Sequence, residues 1–209
     1  MSATILWDVD TQVDFIEPGG KLYFDGAEEA KPAMALLVEA ARATQTVHVA
    51  STDQHELSDP EISEEPDYQS TWPPHCLLGT RGAEKIAETK QLDPLPLPLL
   101  PVPAAILRRV LEGRREILIP KKHYDPFTNP NTETLLDALD PDEILLFGVA
   151  TEICDDATVR ALLSRGRRIT FVEDAARGVD EANAAACVAA WRELGVRTTT
   201  ADEAAASLG

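Results

Sequence analysis

Six short apolar runs rich in β-branched residues recur along the chain, and their alternation with helix-like segments constrains the fold more than any other feature. They lie at Ala3 to Asp10, Thr46 to Thr52, Glu116 to Pro120, Glu143 to Val149, Arg168 to Glu173 and Val196 to Thr200. Most are continuously apolar, the pattern of strands whose two faces are both covered. Between them lie helical patterns at Ala27 to Ala43, Ala104 to Leu111, Thr132 to Leu139, Cys154 to Ser164 and Glu181 to Leu194. A β-α order repeated in this way predicts a three-layer α/β/α sandwich around a six-stranded, mainly parallel sheet with right-handed crossovers.

At roughly 100–200 residues per domain, a chain of 209 residues predicts a single domain, 1–209. The rhythm breaks only between about Asp53 and Pro103, and a connection this long is usually functional. It holds Trp72-Pro-Pro and Gly79-Thr-Arg-Gly, and it ends in the proline-rich run that begins at Asp93. That run reads as a stiff connector whose leucines seek burial.

With 36 acidic and 19 basic side chains, the net charge is -17, which repels phosphate backbones and anionic lipid. Nucleic acid and membrane are therefore not the expected partners; a small molecule is. A spanning helix needs about 20 apolar residues, and the uncharged stretch from Leu95 to Leu107 is shorter and broken by prolines. The first apolar stretch is interrupted by Asp8, Asp10 and Asp14, so no secretory signal is read and a cytoplasmic location is expected. Cys76, Cys154 and Cys187 are too scattered for a disulfide framework and are expected to be thiols.

In open parallel sheets, ligands bind beyond the carboxyl ends of the strands. Four such ends carry chemistry: Asp8 to Phe15, Ser51 to His55, Pro120 to Tyr124, and Gly148 to Cys154. Cys154 follows a strand and opens a helix, where backbone N–H groups favour a thiolate. A nucleophilic thiol needs a base and an oxyanion stabiliser, and Asp10, Lys121 and the turn Gly148-Val149-Ala150 are available.

Taken in order, Asp10-Thr-Gln-Val-Asp-Phe15 with Pro18-Gly-Gly, Asp53-x-His55, Trp72-Pro-Pro-His-Cys76 with Gly79-Thr-Arg-Gly, Lys121-x-x-Tyr124 and Gly148-Val-Ala-Thr-x-x-Cys154 resemble the isochorismatase-like cysteine hydrolases. The Trp-Pro-Pro-His-Cys element resembles their nicotinamidase/pyrazinamidase branch. The resemblance implies a hydrolase that converts nicotinamide or a related small amide to its acid and ammonia. Asp10 is then the base, Lys121 holds Asp10 and the thiolate, and Cys154 attacks the amide carbon. The N–H groups of Ala150 and Cys154 form the oxyanion hole beside a cis Val149–Ala150 peptide. Phe15 and Trp72 sandwich the substrate ring, and Tyr124 completes the pocket.

The same resemblance implies one divalent ion, Zn or else Mn or Fe, held by Asp53, His55 and His75. No histidine lies between His55 and His75, and Glu61 stands where the relatives place one, as a carboxylate ligand or as a solvent-facing acid. Asp8 and Asp14 compete with Asp10 for the base. Asp8, on the same strand parity as Asp10, must be paired or protonated if buried; Asp14 suits holding a loop or bonding the lysine. His48 reads as a core residue and His123 as lining or flanking the pocket. Lys122 has the opposite strand parity to Lys121 and points away.

Two other function classes stay open: a metal-free hydrolase of an enol ether, against which Cys154, His55 and His75 argue, and a catalytically silent binding module. Ile153, before the nucleophile, leaves the substrate open. The alanine-rich segment Ala182 to Ala190 permits a homo-oligomeric contact without demanding one.

Overall fold

The computed structural model describes residues 4–208. Ala3, the first residue of the first predicted strand, lies outside them. Seven strands form one parallel sheet: β1 (Thr4–Val9), β2 (Val47–Asp53), β3 (Leu95–Pro96), β4 (Glu116–Lys121), β5 (Glu143–Val149), β6 (Ile169–Arg177) and β7 (Arg197–Thr199). Their order across the sheet is β3-β4-β2-β1-β5-β6-β7, with β1 at the centre and the chain winding outward to both sides.

The seventh strand corrects the expected six. Leu95 and Pro96 pair with Ile117 and Leu118 at the sheet edge. A proline is tolerated there because the side of an edge strand facing away from the sheet needs no N–H donor. The run expected to act as a connector thus also ends the sheet, with Leu97 buried and Leu99 and Leu100 exposed.

Helices cover both faces. On one side α2 (Lys31–Thr44) and α7 (Ala201–Ser207) pack Met34, Leu37, Val38, Ala41 and Ala204 onto Leu6, Leu145, Phe147 and Val172. On the other, α3 (Ala104–Leu111), α4 (Thr132–Leu139), α5 (Asp156–Ser164) and α6 (Glu181–Glu193) bring Leu107, Leu135, Leu162 and Trp191 onto Trp7, Val9, Val49, Ile117 and Ile119. The alternating parity of β1 divides the two cores, as a strand requires. A short helix, α1 (Val13–Ile16), follows β1 directly.

Several elements differ from those read in the sequence; β6, for example, runs on to Arg177, past the expected end at Glu173. The helix expected from Ala27 opens as a 3-10 turn, Ala27–Ala30, before α2. The helix expected to begin at Cys154 is preceded by a π-helical turn, Thr151–Asp155, so the cysteine sits inside an irregular turn and α5 begins at Asp156. A further helix, α7, follows β7 beyond the last expected element; Thr200 caps it by accepting from the Glu203 N–H. Among the described residues no helix is long and apolar enough to cross a membrane.

Candidate active site

Strand register builds the centre of the site. Asp53 and Lys121 are direct neighbours on β2 and β4, at strand ends that the sequence separates by the whole long connection and by α3. Asp10 follows β1 in the left-handed region, with φ 49°. For a residue other than glycine that conformation is strained, and it turns the carboxylate out of the strand's alternation.

The result is an ammonium buried between two carboxylates. Lys121 Nζ lies 2.8 Å from Asp10 Oδ2 and 2.5 Å from Asp53 Oδ1, and 3.8 Å from the Cys154 Sγ. Ser51, which the sequence reading did not single out, donates from its hydroxyl to Asp10 Oδ1 at 3.1 Å. Burial works against the ammonium, but Asp10 and Asp53 hold the Lys121 pKa well above its usual value.

Burial raises the Asp10 carboxyl to about 6, against the pull of Lys121 and with a further push from Asp53. Burial likewise opposes ionisation of Asp53, yet Lys121 and the two histidines beside it hold that carboxyl well below the usual range. The Cys154 thiol is pushed well above its usual value by burial, which outweighs Lys121. Burial thus opposes the stabilisation of a thiolate expected at the helix start, and attack needs a base to take the thiol proton.

The rival carboxylates are occupied elsewhere. Asp8 is held in a cluster of its own: its Oδ2 pairs with Lys85 Nζ at 2.5 Å and lies 3.3 Å from His48 Nε2, while Thr11 donates to Oδ1 at 2.7 Å. It is therefore paired, and His48 is its core partner. Asp14 accepts from the backbone N–H of Cys76 at 2.7 Å and of Lys21 at 3.0 Å. Gly82 packs so closely on this carboxylate that a Cβ there would collide with it. Asp14 thus holds two loops together, and Gly82 explains part of the Gly-Thr-Arg-Gly motif.

Next to this centre, Asp53, His55 and His75 offer ligand atoms that all lie within 4.8 Å of one another. Asp53 Oδ2 is 3.9 Å from His55 Nε2 and 3.8 Å from His75 Nε2, so one carboxylate serves both clusters. The outer ring nitrogens are held: His55 Nδ1 lies 3.3 Å from Asp59 Oδ2, itself paired with Lys122 at 2.7 Å, and His75 Nδ1 lies 2.8 Å from the Pro73 carbonyl. Such partners fix the tautomer that leaves Nε2 free to ligate. His55 Nε2 and Glu61 Oε2 are both buried without a hydrogen-bond partner, a costly condition that a bound cation would relieve. Burial pushes Glu61 up to about 7, with Asp53 pushing the same way. Glu61 is buried, not solvent-facing. The donor set of two imidazoles with carboxylates suits a divalent transition metal.

A cavity of about 250 Å³ opens above both clusters. Its lining includes Asp53, Glu61, His75, Val149, Ala150, Ile153 and Cys154, and the Val149–Ala150 peptide is cis. Phe15, Tyr23, Phe24, Tyr68, Trp72 and Tyr124 supply aromatic faces, and the Trp72 indole N–H donates to the Tyr124 hydroxyl at 2.6 Å. His123, expected to line or flank this pocket, is exposed and packs edge-on against Tyr124 from outside the lining. Cys76 is a buried thiol whose pKa is raised well above its usual value, chiefly by burial, and Cys187 packs at the edge of the α6 core.

An unexpected feature lies directly behind the nucleophile. Asp155 is fully buried, and neither of its carboxylate oxygens has a partner. Burial pushes its pKa well above 3.8, and the carboxylates of Asp10, Glu152, Asp8 and Asp156 push the same way. A folded pKa above the unfolded value stabilises the fold at low pH, and the contribution is lost as pH rises past the unfolded value of about 3.9. Asp155→Val is therefore expected to raise stability by about 1–3 kcal/mol at neutral pH, and its gain in Tm should widen as unfolding scans move upward from pH 4. A variant less stable than the parent at neutral pH would contradict this account.

Against known proteins, a family model described as Isochorismatase domain matches residues 3–203. The chain belongs to the isochorismatase family. This isochorismatase-family chain is 42% identical over 76 residues to a nicotinamidase/pyrazinamidase of Mycobacterium tuberculosis; the matched segment spans 36% of this chain and 40% of that protein. Its fold is similar to the nicotinamidase/pyrazinamidase of Bacillus subtilis, with TM-score 0.75 and 19% identity over 95% of this chain and 100% of the other. It is similar also to a pyrazinamidase of Pyrococcus horikoshii solved in complex with zinc, with TM-score 0.76 and 22% identity over 95% and 99% of the two chains.

Proposed function

We propose that this isochorismatase-family protein is a metal-dependent cysteine amidohydrolase that converts nicotinamide or a related small aromatic amide to its acid and ammonia. The observation that carries the reading is the buried Lys121 ammonium, which touches Asp10 and Asp53 and lies 3.8 Å from the thiol of Cys154 at a cavity wall. The matched segment of the M. tuberculosis relative and the zinc complex of the P. horikoshii neighbour point the same way.

In this mechanism Asp10 takes the Cys154 proton as the sulfur attacks the amide carbon. The oxyanion falls to the N–H groups of Ala150 and Cys154, a form of stabilisation worth several kcal/mol in such sites. Lys121 holds the Asp10 carboxylate in place and offsets negative charge while the proton moves. The C–N bond then breaks, Asp10 returns the proton to the leaving nitrogen, and ammonia departs from a thioester on Cys154. Asp10 next draws a proton from water as its oxygen attacks the thioester, and the thiol and the free acid are released.

Asp53, His55 and His75 would hold the divalent ion, Zn or else Mn or Fe, with Glu61 as a further carboxylate ligand in place of a histidine. Bound there, the ion supplies Lewis acidity to a ring nitrogen and to water. A metal-free enol-ether hydrolase would leave His55 Nε2 and Glu61 Oε2 buried with nothing to satisfy them.

Phe15 and Trp72 would stack on the substrate ring and Tyr124 would hold Trp72. Six of the chain's eleven aromatic side chains line the cavity, which favours a flat substrate. The cavity's about 250 Å³ lies below the ~300–1,000 Å³ of pockets for drug-sized ligands.

Ammonia release from nicotinamide, followed before and after chelation and after restoring Zn, Mn or Fe, tests the reading. Turnover is expected to fall at least tenfold on chelation and to return with metal. Full turnover by protein shown to hold no metal would remove the ion from the account. No turnover of any small amide by metal-loaded protein would remove the amidohydrolase.

A further inference from the structure

Among the cavity-lining residues, Lys21 is the one lysine or arginine. It sits in the loop after α1 with Leu22, Tyr23 and Phe24, which also line the cavity. The loop backbone is tightly held. The Lys21 N–H donates to Asp14 Oδ1 at 3.0 Å, and the Leu22 N–H to the Asp14 carbonyl at 3.0 Å. A Cβ on Gly20 would come within 2.6 Å of the Val13 carbonyl oxygen. The same Asp14 carboxylate holds the N–H of Cys76, the neighbour of His75. The loop carrying Lys21 is therefore registered against the wall carrying His75.

Among the described residues the Lys21 ammonium has no partner. In a chain with 36 acidic and 19 basic side chains, it forms no ion pair and no side-chain hydrogen bond among the described residues. Of the two acidic groups in the lining, Asp53 is paired with Lys121 and lies beside the histidines, and Glu61 is buried with its Oε2 lacking a hydrogen-bond partner. The remaining lining is mostly aromatic and aliphatic. A pocket lined by aromatic faces and by one exposed lysine suits a ring that carries an anion away from its reacting group.

We propose that Lys21 is a specificity-determining residue that receives a carboxylate borne by the substrate's ring away from the scissile amide. The preferred substrates are then carboxylated aromatic amides, not neutral ones. The assignment rests on the amidohydrolase reading for its reaction but not for its ligand. A charge-assisted hydrogen bond of this kind is worth roughly tenfold in affinity. Added salt weakens it, because the ammonium is exposed and the Debye length is only ~10 Å at 0.1 M.

The test compares benzamide with its meta- and para-carboxylated forms. In the metal-loaded parent, kcat/KM for a carboxylated form is expected to exceed that for benzamide by roughly tenfold, mainly through KM. Lys21→Gln should bring the ratio to about one, Lys21→Arg should retain it, and Lys21→Glu should invert it. Binding is read separately by calorimetry, with isophthalate, terephthalate and benzoate titrated into the Cys154→Ala protein with and without Lys21→Gln. Tighter binding of a dicarboxylate that Lys21→Gln abolishes supports the proposal even if no amide is turned over, the outcome that would remove the amidohydrolase reading alone. Turnover of benzamide with no preference for its carboxylated forms, or a preference unchanged in Lys21→Gln, overturns the proposal and leaves the amidohydrolase standing.

Discussion

Cys154→Ala is expected to reduce ammonia release by on the order of 10⁶-fold, the loss typical when a covalent nucleophile is removed from its catalytic unit. No other thiol can substitute. Cys76 is buried in the wall of the long connection, held by its backbone N–H to Asp14, and Cys187 lies on α6. The fold should survive, because the substitution removes one sulfur atom from a turn secured by the backbone bonds of Ile153 and Asp155 to the Ala150 carbonyl. Tm is expected to move by a few degrees, and metal content should be unchanged, since the proposed ligands do not include the thiol. An unfolded variant would make the residue structural; an active one would return the protein to the class of hydrolases that do not use this cysteine.

Asp10→Asn carries the second large effect. The resting thiol cannot attack until its proton leaves, and general-base catalysis contributes ~10²–10⁴-fold, so kcat/KM is expected to fall within that range. The asparagine keeps the shape of the side chain and can still accept from the Ser51 hydroxyl, 3.1 Å from the parent carboxylate. Lys121 keeps Asp53 at 2.5 Å as its counter-ion, which limits the cost of leaving a buried ammonium beside a neutral amide. Single-turnover kinetics should locate the loss in thioester formation. A fall of less than tenfold would show that Asp10 is not the base; with Asp8 paired to Lys85 and Asp14 spent on two backbone N–H groups, the role would pass to Asp53, whose carboxylate lies within 4.8 Å of the Cys154 sulfur.

Much of the architecture was legible because it follows from local pattern. Short continuous apolar runs such as Glu143 to Val149 read as strands covered on both faces, and polar residues at their carboxyl ends mark the binding edge. β3 was not legible: two residues in a proline-rich run carry no strand pattern, and only the pairing of Leu95 and Pro96 with β4 makes them one. The shared parity of Asp8 and Asp10 misled for a similar reason, since the positive φ at Asp10 appears in no sequence period.

The site divides in the same way. Asp10, Lys121 and Cys154 stand at strand ends and could be named from their positions, whereas their contacts depend on β2–β4 register. Asp53 was expected as a metal ligand alone; its contact with Lys121 required knowing which strand lies beside which. Asp59, four residues beyond His55, carried a faint local signal as that ring's partner. Ser51, Asp155 and Lys21 carried none, because their significance lies in what surrounds them: a carboxylate to hold, burial with no hydrogen-bond partner, and a cavity with no other lysine or arginine.

The central claim is that Cys154 carries the acyl group between the two halves of the reaction. Its most direct measurement is an acid quench of metal-loaded protein during turnover of a small aromatic amide, with the intact mass read before digestion and the adduct then mapped. The account predicts a mass increase equal to the acyl group, carried by the peptide containing Cys154, lost on treatment with hydroxylamine and absent from Cys154→Ala. Ammonia release with the acyl group on another residue, or with no adduct at times when a burst of ammonia has already appeared, would contradict it.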